Sequence, residues 1–349
     1  MGATDPNRND LIVRGGGPSE NVFYLDGIEI PIINHFATQG SSGGAVGVIN
    51  PDFVREISFY TGAFPANRPN ALSSVMDIRQ KDGSRDRVRT QLAVGASDAA
   101  FTMDGPIGDR STFIVSARQS YLQLLFKLIG LPFLPTYNDF QVKYKLQLDP
   151  KNELSFIGIG AIDNMTLNTG LQEKGTEAQK YLLNYLPVYE QWNYTVGAVY
   201  KHYDERSFDT WVLSRNMLRN QNYKHENNDE SRPRISDYRS DESENKLRFE
   251  RVYPDLPMKV LIGGGVTYSH YTNRTNRQVF RDGNLTDLAY HTDLALWTYQ
   301  AFIQASDTYF SNRLSLSLGI NTIGNNYNQN MGNPLNQLSP RFSASYRIS

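Results

Sequence analysis

From about Arg87 onward the chain alternates apolar and polar residues with a period of two. The run Phe140-Gln141-Val142-Lys143-Tyr144-Lys145-Leu146-Gln147-Leu148 keeps this period throughout. So do Leu314-Ser315-Leu316-Ser317-Leu318-Gly319-Ile320-Asn321 and Phe342-Ser343-Ala344-Ser345-Tyr346-Arg347-Ile348. Trp192, Tyr194, Val196, Ala198 and Tyr200 make one face of a further run. Val260, Ile262, Val266 and Tyr268 make another, and Trp297, Tyr299, Ala301 and Ile303 a third. Successive side chains of a strand point to opposite faces, so these runs predict antiparallel strands with one apolar and one polar side. A membrane-spanning strand needs about 9–11 residues of this kind, and a soluble sandwich alternates in the same way.

Connection lengths separate the two architectures. Short breaks at 105–109, 149–152, 204–205, 254–257 and 309–312 take turns with long ones at 121–138, 164–187, 221–242, 275–291 and 324–336. Outer-membrane barrels have this parity, with short turns at one end and long loops at the other, and a sandwich has no reason to keep it. With a first hairpin at 87–96 and 99–104, the count is about twelve strands, against about 22 in plugged transporters. An open sheet edge is not tolerated in lipid, so the intact barrel is expected to continue past Ser349. Aromatic residues at strand ends (Tyr200, Tyr203, Tyr268, Tyr271, Tyr309, Phe310) suit interfacial girdles.

The front of the chain reads differently. Val54, Ile57, Phe59 and Tyr60 predict a strand, Gly62, Pro65, Pro69 and Asn70 break it, and 75–79 resumes an extended pattern. Asp26-Gly27 lies between two short apolar runs, which predicts a hairpin whose turn needs positive φ at both central residues. Gly15-Gly16-Gly17 is no phosphate loop, because a strand and not a helix follows it. Around His35 a flexible run, 39–44, predicts an exposed loop, and a lone histidine there is a surface residue before it is a metal ligand.

Composition closes several routes. The 349 residues carry a formal net charge of -1, which gives no electrostatic case for nucleic acid. There is no cysteine, so disulfides, thiolate metal sites and a cysteine nucleophile are excluded. The five histidines lack ligand spacing and no Gly-x-Ser-x-Gly elbow occurs, so neither an enzyme nor a bound metal or cofactor is expected. The apolar stretch at 122–134 holds Lys127, Gly130 and Pro132 and is too short to span a membrane, which predicts a loop helix. The mixed charges between Glu226 and Glu244 read as a solvated loop. No signal peptide is evident at Met1, and both ends read as cut from a longer chain.

Val13-Arg14-Gly15, Leu25-Asp26-Gly27-Ile28, Arg55-Glu56-Ile57 and Asn70-Ala71-Leu72-Ser73-Ser74-Val75-Met76-Asp77-Ile78 resemble, in order and spacing, the later part of the plug domain of TonB-dependent outer-membrane receptors. The resemblance covers roughly the first quarter of the chain. It implies a small α+β plug at 1–82 inside an antiparallel all-β membrane barrel that begins at 83–349. It also implies location in the bacterial outer membrane and import of a bulky nutrient: siderophore, cobalamin, glycan or peptide. The implied partners are membrane lipid, the transported ligand, a TonB complex reached through a segment upstream of Met1, and in some systems a surface lipoprotein. Signal transduction, or an adhesion or porin-type role, are the alternatives on the same fold. The apical plug positions are expected to face ligand: Asn34, His35 and Phe36, then Phe64, Asn67 and Arg68. Arg14 and Glu56 are expected to be structural charges paired within the plug or to the wall. Many family members carry Arg-Gly-Pro where this chain has Thr61-Gly62-Ala63, so a second anchoring arginine is expected to be absent.

Overall fold

The structure, a computed structural model, describes residues 10–37, 44, 46–281 and 283–348. The first residues, Met1-Gly2-Ala3-Thr4-Asp5, and all but Gly44 of the predicted run 39–44 lie outside the described residues. Two sheets form. The small one contains β1 (Asn21–Leu25), β2 (Ile28–Ile30), β3 (Val54–Tyr60) and β4 (Ser74–Gln80) in the order β2-β1-β4-β3. Both predicted pairs are present. Asp26 and Gly27 adopt φ of 49° and 88° in the β1–β2 turn, and β3 pairs antiparallel with β4 from Tyr60↔Val75 to Val54↔Gln80. What unites the pairs is the parallel ladder of β1 on β4, from Asn21↔Ser74 to Leu25↔Ile78.

The second sheet is a twelve-stranded antiparallel wall in strict chain order. Its strands are β5 (Arg89–Val94), β6 (Asp98–Ile107), β7 (Ser111–Ser120), β8 (Phe133–Asp149), β9 (Asn152–Leu167) and β10 (Val188–Tyr203). They continue as β11 (Phe208–His225), β12 (Arg234–Tyr253), β13 (Lys259–Arg281), β14 (Asn284–Tyr309), β15 (Leu314–Asn325) and β16 (Leu338–Tyr346). The alternation now has two named sides. On β9, Ile157, Ile159 and Ala161 are buried and face inward, where the small sheet sits, while Phe156 and Ile162 are exposed and face outward. The outward faces of later strands carry Val196, Trp211, Leu213, Leu247, Val266, Trp297, Ile303, Leu318 and Phe342, all exposed.

The core lies between the sheets. Phe23, Leu25, Ile28, Ile30, Val48 and Ile78 of the front unit pack against Ile157, Ile159, Ala161, Val199 and Val212 of β9–β11. Apart from Ala161, each of these side chains contributes about 1.5–3 kcal/mol on burial. Gly197 makes the close approach possible: a Cβ there would lie 2.7 Å from Ile28 Cδ1. Between strands, α1 (Leu122–Leu128) is the short helix expected in 122–134. α2 (Leu171–Lys174) and α3 (Glu177–Tyr185) fill the connection from β9 to β10. A capping box closes the start of α3, with Thr176 Oγ1 accepting from the Gln179 N–H and Gln179 Oε1 accepting from the Thr176 N–H. Its end is met by Lys224 Nζ, which donates to the Leu186 carbonyl at 2.8 Å.

Two of the predicted long loops are corrected. Most of 221–242 is strand, since β11 runs to His225 and β12 starts at Arg234, and the described part of 275–291 is almost all strand, since β13 runs to Arg281 and β14 starts at Asn284. Asp237, Arg239, Asp241, Glu242 and Glu244, read as loop charges, lie on β12. The physical reason is that a strand beyond the apolar band still pairs its backbone, but nothing there requires one face to differ from the other, so the regular period disappears. On β14 the apolar side even changes face. Trp297, Tyr299 and Ile303 lie on the outward side, whereas Leu288, Tyr290 and Leu294 lie at positions of the opposite parity, nearer the tip.

Candidate functional site

The chemistry of this molecule is concentrated where the small sheet meets the wall. The loop after β2 places Asn34 in an isolated bridge with Gly47 and turns at Phe36, whose φ is 54°. His35 is fully enclosed there, which corrects its expected place on an exposed loop. Its Nδ1 lies 2.6 Å from Asp163 Oδ1 and its Nε2 lies 3.0 Å from Asp139 Oδ2. Both ring nitrogens face carboxylate oxygens, which only accept, so the doubly protonated imidazolium is the form that satisfies both contacts. Burial lowers the His35 pKa, and the hydrogen bonds it donates to Asp139 and Asp163 outweigh it, leaving it raised above the ordinary imidazole value.

The wall supports that contact. The Phe36 N–H donates to Asp163 Oδ2 at 2.8 Å, and Arg118 Nε donates to Asp139 Oδ2 at 2.7 Å. The Tyr137 ring lies 4.3 Å from the imidazole. With His35 and Arg118 cationic, the two aspartates are neutralised. Asp163 is the fifth residue from the end of β9 that leads into the long α2–α3 connection, so the cluster sits toward the long-connection end of the wall.

A second cluster holds the opposite flank. Arg68 Nη2 pairs with Asp77 Oδ2 at 2.9 Å and its Nη1 with Glu250 Oε1 at 3.2 Å. The guanidinium also stacks over the Tyr24 ring at 4.4 Å. Burial disfavours its charge, but Glu250 and Asp77 overcome this and raise the Arg68 pKa. Burial also pushes the Tyr24 hydroxyl up to about 12. Asn67 Nδ2 donates to Glu250 Oε2 at 3.1 Å, and Arg341 on β16 donates to the Phe64, Pro65 and Arg68 carbonyls. Glu250 is three residues from the tight-turn end of β12. Phe64, Asn67 and Arg68 are therefore turned to the wall, at a different level from 34–36. A third contact lies where the chain passes from β4 toward β5. Asp26 and Asp82 share Lys143 at 3.1 and 2.9 Å, and Lys145 adds a second contact to Asp82. Burial raises the Asp82 pKa, and the two lysines overcome it and lower it to about 2.

The two charges expected to be structural divide. Glu56 pairs with Arg79 on the neighbouring strand at 3.6 Å, both half exposed, a pair worth about 0–1 kcal/mol. Arg14 is exposed, has a φ of 52° and rests against Gly62. Among the described residues it makes no ion pair to the wall, and Arg68 makes that bond instead. Sequence reading missed Asp139, Asp163 and Glu250. The available signal was the polar side of β8, where Asp139, Gln141, Lys143 and Lys145 occupy successive inward positions. Among the described residues no group of His, Asp or Glu is arranged to hold a metal ion.

No protein-family model and no curated protein sequence matches the chain. Solved structures do match its fold. The pyoverdine outer-membrane receptor FpvA of Pseudomonas aeruginosa, bound to pyoverdine, aligns with a TM-score of 0.65 at 12% identity over 97% of this chain and 53% of that one. The siderophore receptor PirA of Acinetobacter baumannii aligns with a TM-score of 0.61 at 11% identity over 96% and 52%. The copper transporter OprC aligns with a TM-score of 0.62 at 12% identity over 95% and 52%. The chain thus spans about half the length of these structures. Its fold is that of the TonB-dependent outer-membrane receptors, with a plug seated in part of a barrel.

Proposed function

We propose that the chain is plug and partial barrel of a receptor in the bacterial outer membrane that imports a bulky solute with energy from a TonB complex. The observation that carries this reading is the seat of the plug. A small sheet is held against the inward face of the wall by buried charges at separate levels, His35 between Asp139 and Asp163 and Arg68 between Asp77 and Glu250. A pore needs no such seat, and a receptor that must hold and then release a plug does.

In this reading the loop carrying Asn34 and Phe36 is where bound solute is felt, His35 is the latch of that loop, and Asn67, Arg68 and Phe64 hold the far flank. Arg14 and Glu56 act within the plug. Lipid surrounds the outward face, a surface lipoprotein is a further candidate partner, and no cofactor takes part. The neighbours in fold include siderophore receptors and a copper transporter, so ferric siderophores, copper, cobalamin, glycans and peptides are the solutes to compare.

The test uses the full-length receptor in cells. Cysteines at Ala37 and Gln191, whose backbone oxygen and side chain are hydrogen-bonded partners, would tie the loop to the wall. Growth on the one solute the protein supports should stop under oxidising conditions and return with reductant, while surface binding of that solute persists. Growth that is indifferent to the crosslink on every source would remove the importer reading and move the assignment to a transducer.

A further inference from the structure

The outward face of the wall carries a groove of about 570 Å³ across β8–β12. Its sides are Val142, Phe156, Val196 and Leu213, and its depth comes from two small residues, Gly158 and Ala198. Gly158 pairs with Val142 on one side and Val196 on the other, and Phe156 pairs with Ala198. A Cβ at Gly158 would meet Val142 Cγ1 at 3.0 Å. The absence of a side chain there opens a channel between bulky neighbours.

A charge stands at the upper rim of this apolar channel. Arg215 is exposed on the outward side of β11 and pairs in register with Val196. Its Nε donates to the Tyr194 hydroxyl at 3.0 Å and its Nη1 to Asn245 Oδ1 at 2.8 Å. Both partners are neutral. The other arginines on this outward face have carboxylates: Arg219 and Arg239 pair with Asp241, and Arg251 pairs with Asp209. Among the described residues Arg215 makes no ion pair. A guanidinium beside apolar surface in lipid takes an anion as its partner, and its fork geometry suits a phosphate.

We propose that this groove seats one acyl chain of an anionic lipid and that Arg215, held in place by Tyr194 and Asn245, binds the phosphate of that lipid. The groove is apolar, opens outward and ends at the cation, so the two halves of such a lipid meet their complements in one place. The inference rests on the outward face being the lipid face.

The experiment uses the purified full-length receptor, delipidated in detergent and then reconstituted in nanodiscs. Retention of a phosphatidylglycerol is compared with that of a phosphatidylcholine of the same chains by native mass spectrometry, with inorganic phosphate as a competitor. The expected result is a preference of about tenfold for phosphatidylglycerol, abolished by Arg215→Gln. Ala198→Leu, which fills the groove and keeps the charge, should weaken retention of both lipids. Both variants alter lipid-facing side chains and leave the seat of the plug intact. Equal retention of the two lipids by the unaltered protein and by Arg215→Gln would mean ordinary annular lipid and overturn the proposal. Displacement of phosphatidylglycerol by millimolar inorganic phosphate would reduce the site to a simple anion site and overturn it too. Failure of the protein to enter bilayers at all would sink the membrane reading itself, an outcome distinct from both.

Discussion

The two charged contacts that seat the plug are built from the same elements and behave differently. At the long-connection end a histidine on a loop lies between two wall carboxylates, Asp139 and Asp163. On the far flank an arginine lies between one carboxylate of its own sheet, Asp77, and one of the wall, Glu250. Each places a cation between two anions in a buried site, where attraction is strong and an unmatched partner is expensive. Only the first has a cation whose charge changes near neutral pH. The pair teaches that a plug can be fastened permanently on one flank and reversibly at the loop where solute is proposed to bind.

The largest expected effect comes from removing the permanent fastening. Arg68→Met leaves Asp77 without its cation and Glu250 with Arg248 alone, and should cost about 3–5 kcal/mol of plug docking. Hydrogen exchange at the β4 amides would report it, and unchanged protection there would mean that the Arg68 contacts carry no docking energy. Asp163→Asn should come next, at about 1.5–3 kcal/mol, because it weakens a charge-assisted bond to His35 while keeping the shape of the site. Its effect should appear in the amides of 33–37 and spare β4. Loosening of both regions together would show that the two contacts are one cooperative unit and dissolve the comparison.

Packing supplies a third probe that touches neither charge. Gly197→Ala places a methyl group 2.7 Å from Ile28 Cδ1 and should cost about 1–3 kcal/mol, read as a lower denaturant midpoint. A compensating Ile28→Val should recover part of it, and no recovery would locate the strain elsewhere. The fourth probe is pH. The folded pKa of His35 is raised, so the stability it contributes is full below the ordinary value of about 6.5 and is lost as pH rises through the folded value. Raising pH in that window should loosen 33–37 and leave the Arg68 flank unchanged, and His35→Gln should abolish the pH response. A response that survives in His35→Gln would reassign it to another group. The smallest effect is expected for Glu56→Gln, within about 1 kcal/mol, since its pair with Arg79 is half exposed.

Much of this architecture was legible from the chain because it is local. Alternation at 140–148 or 314–321 needs only each residue and its neighbours, and the tight turns between strands carry their own residue chemistry. The Asp26-Gly27 turn was readable for the same reason, since few residues tolerate positive φ. The projecting parts of β11–β14 were not readable as strand, because outside the apolar band nothing forces the two faces to differ.

The seat of the plug could not be read at all from local pattern. His35 meets partners 104 and 128 residues away, and Arg68 meets one 182 residues away. Each looks in isolation like an ordinary surface charge, and the sequence therefore placed His35 on an exposed loop. By itself the sequence determined strand periodicity, turn positions, and which side of each regularly alternating strand is apolar, because these follow from short-range sterics and from the surroundings each face meets. The tertiary structure alone decided which charges are buried and what neutralises them, because burial and pairing depend on where the small sheet comes to rest against the wall.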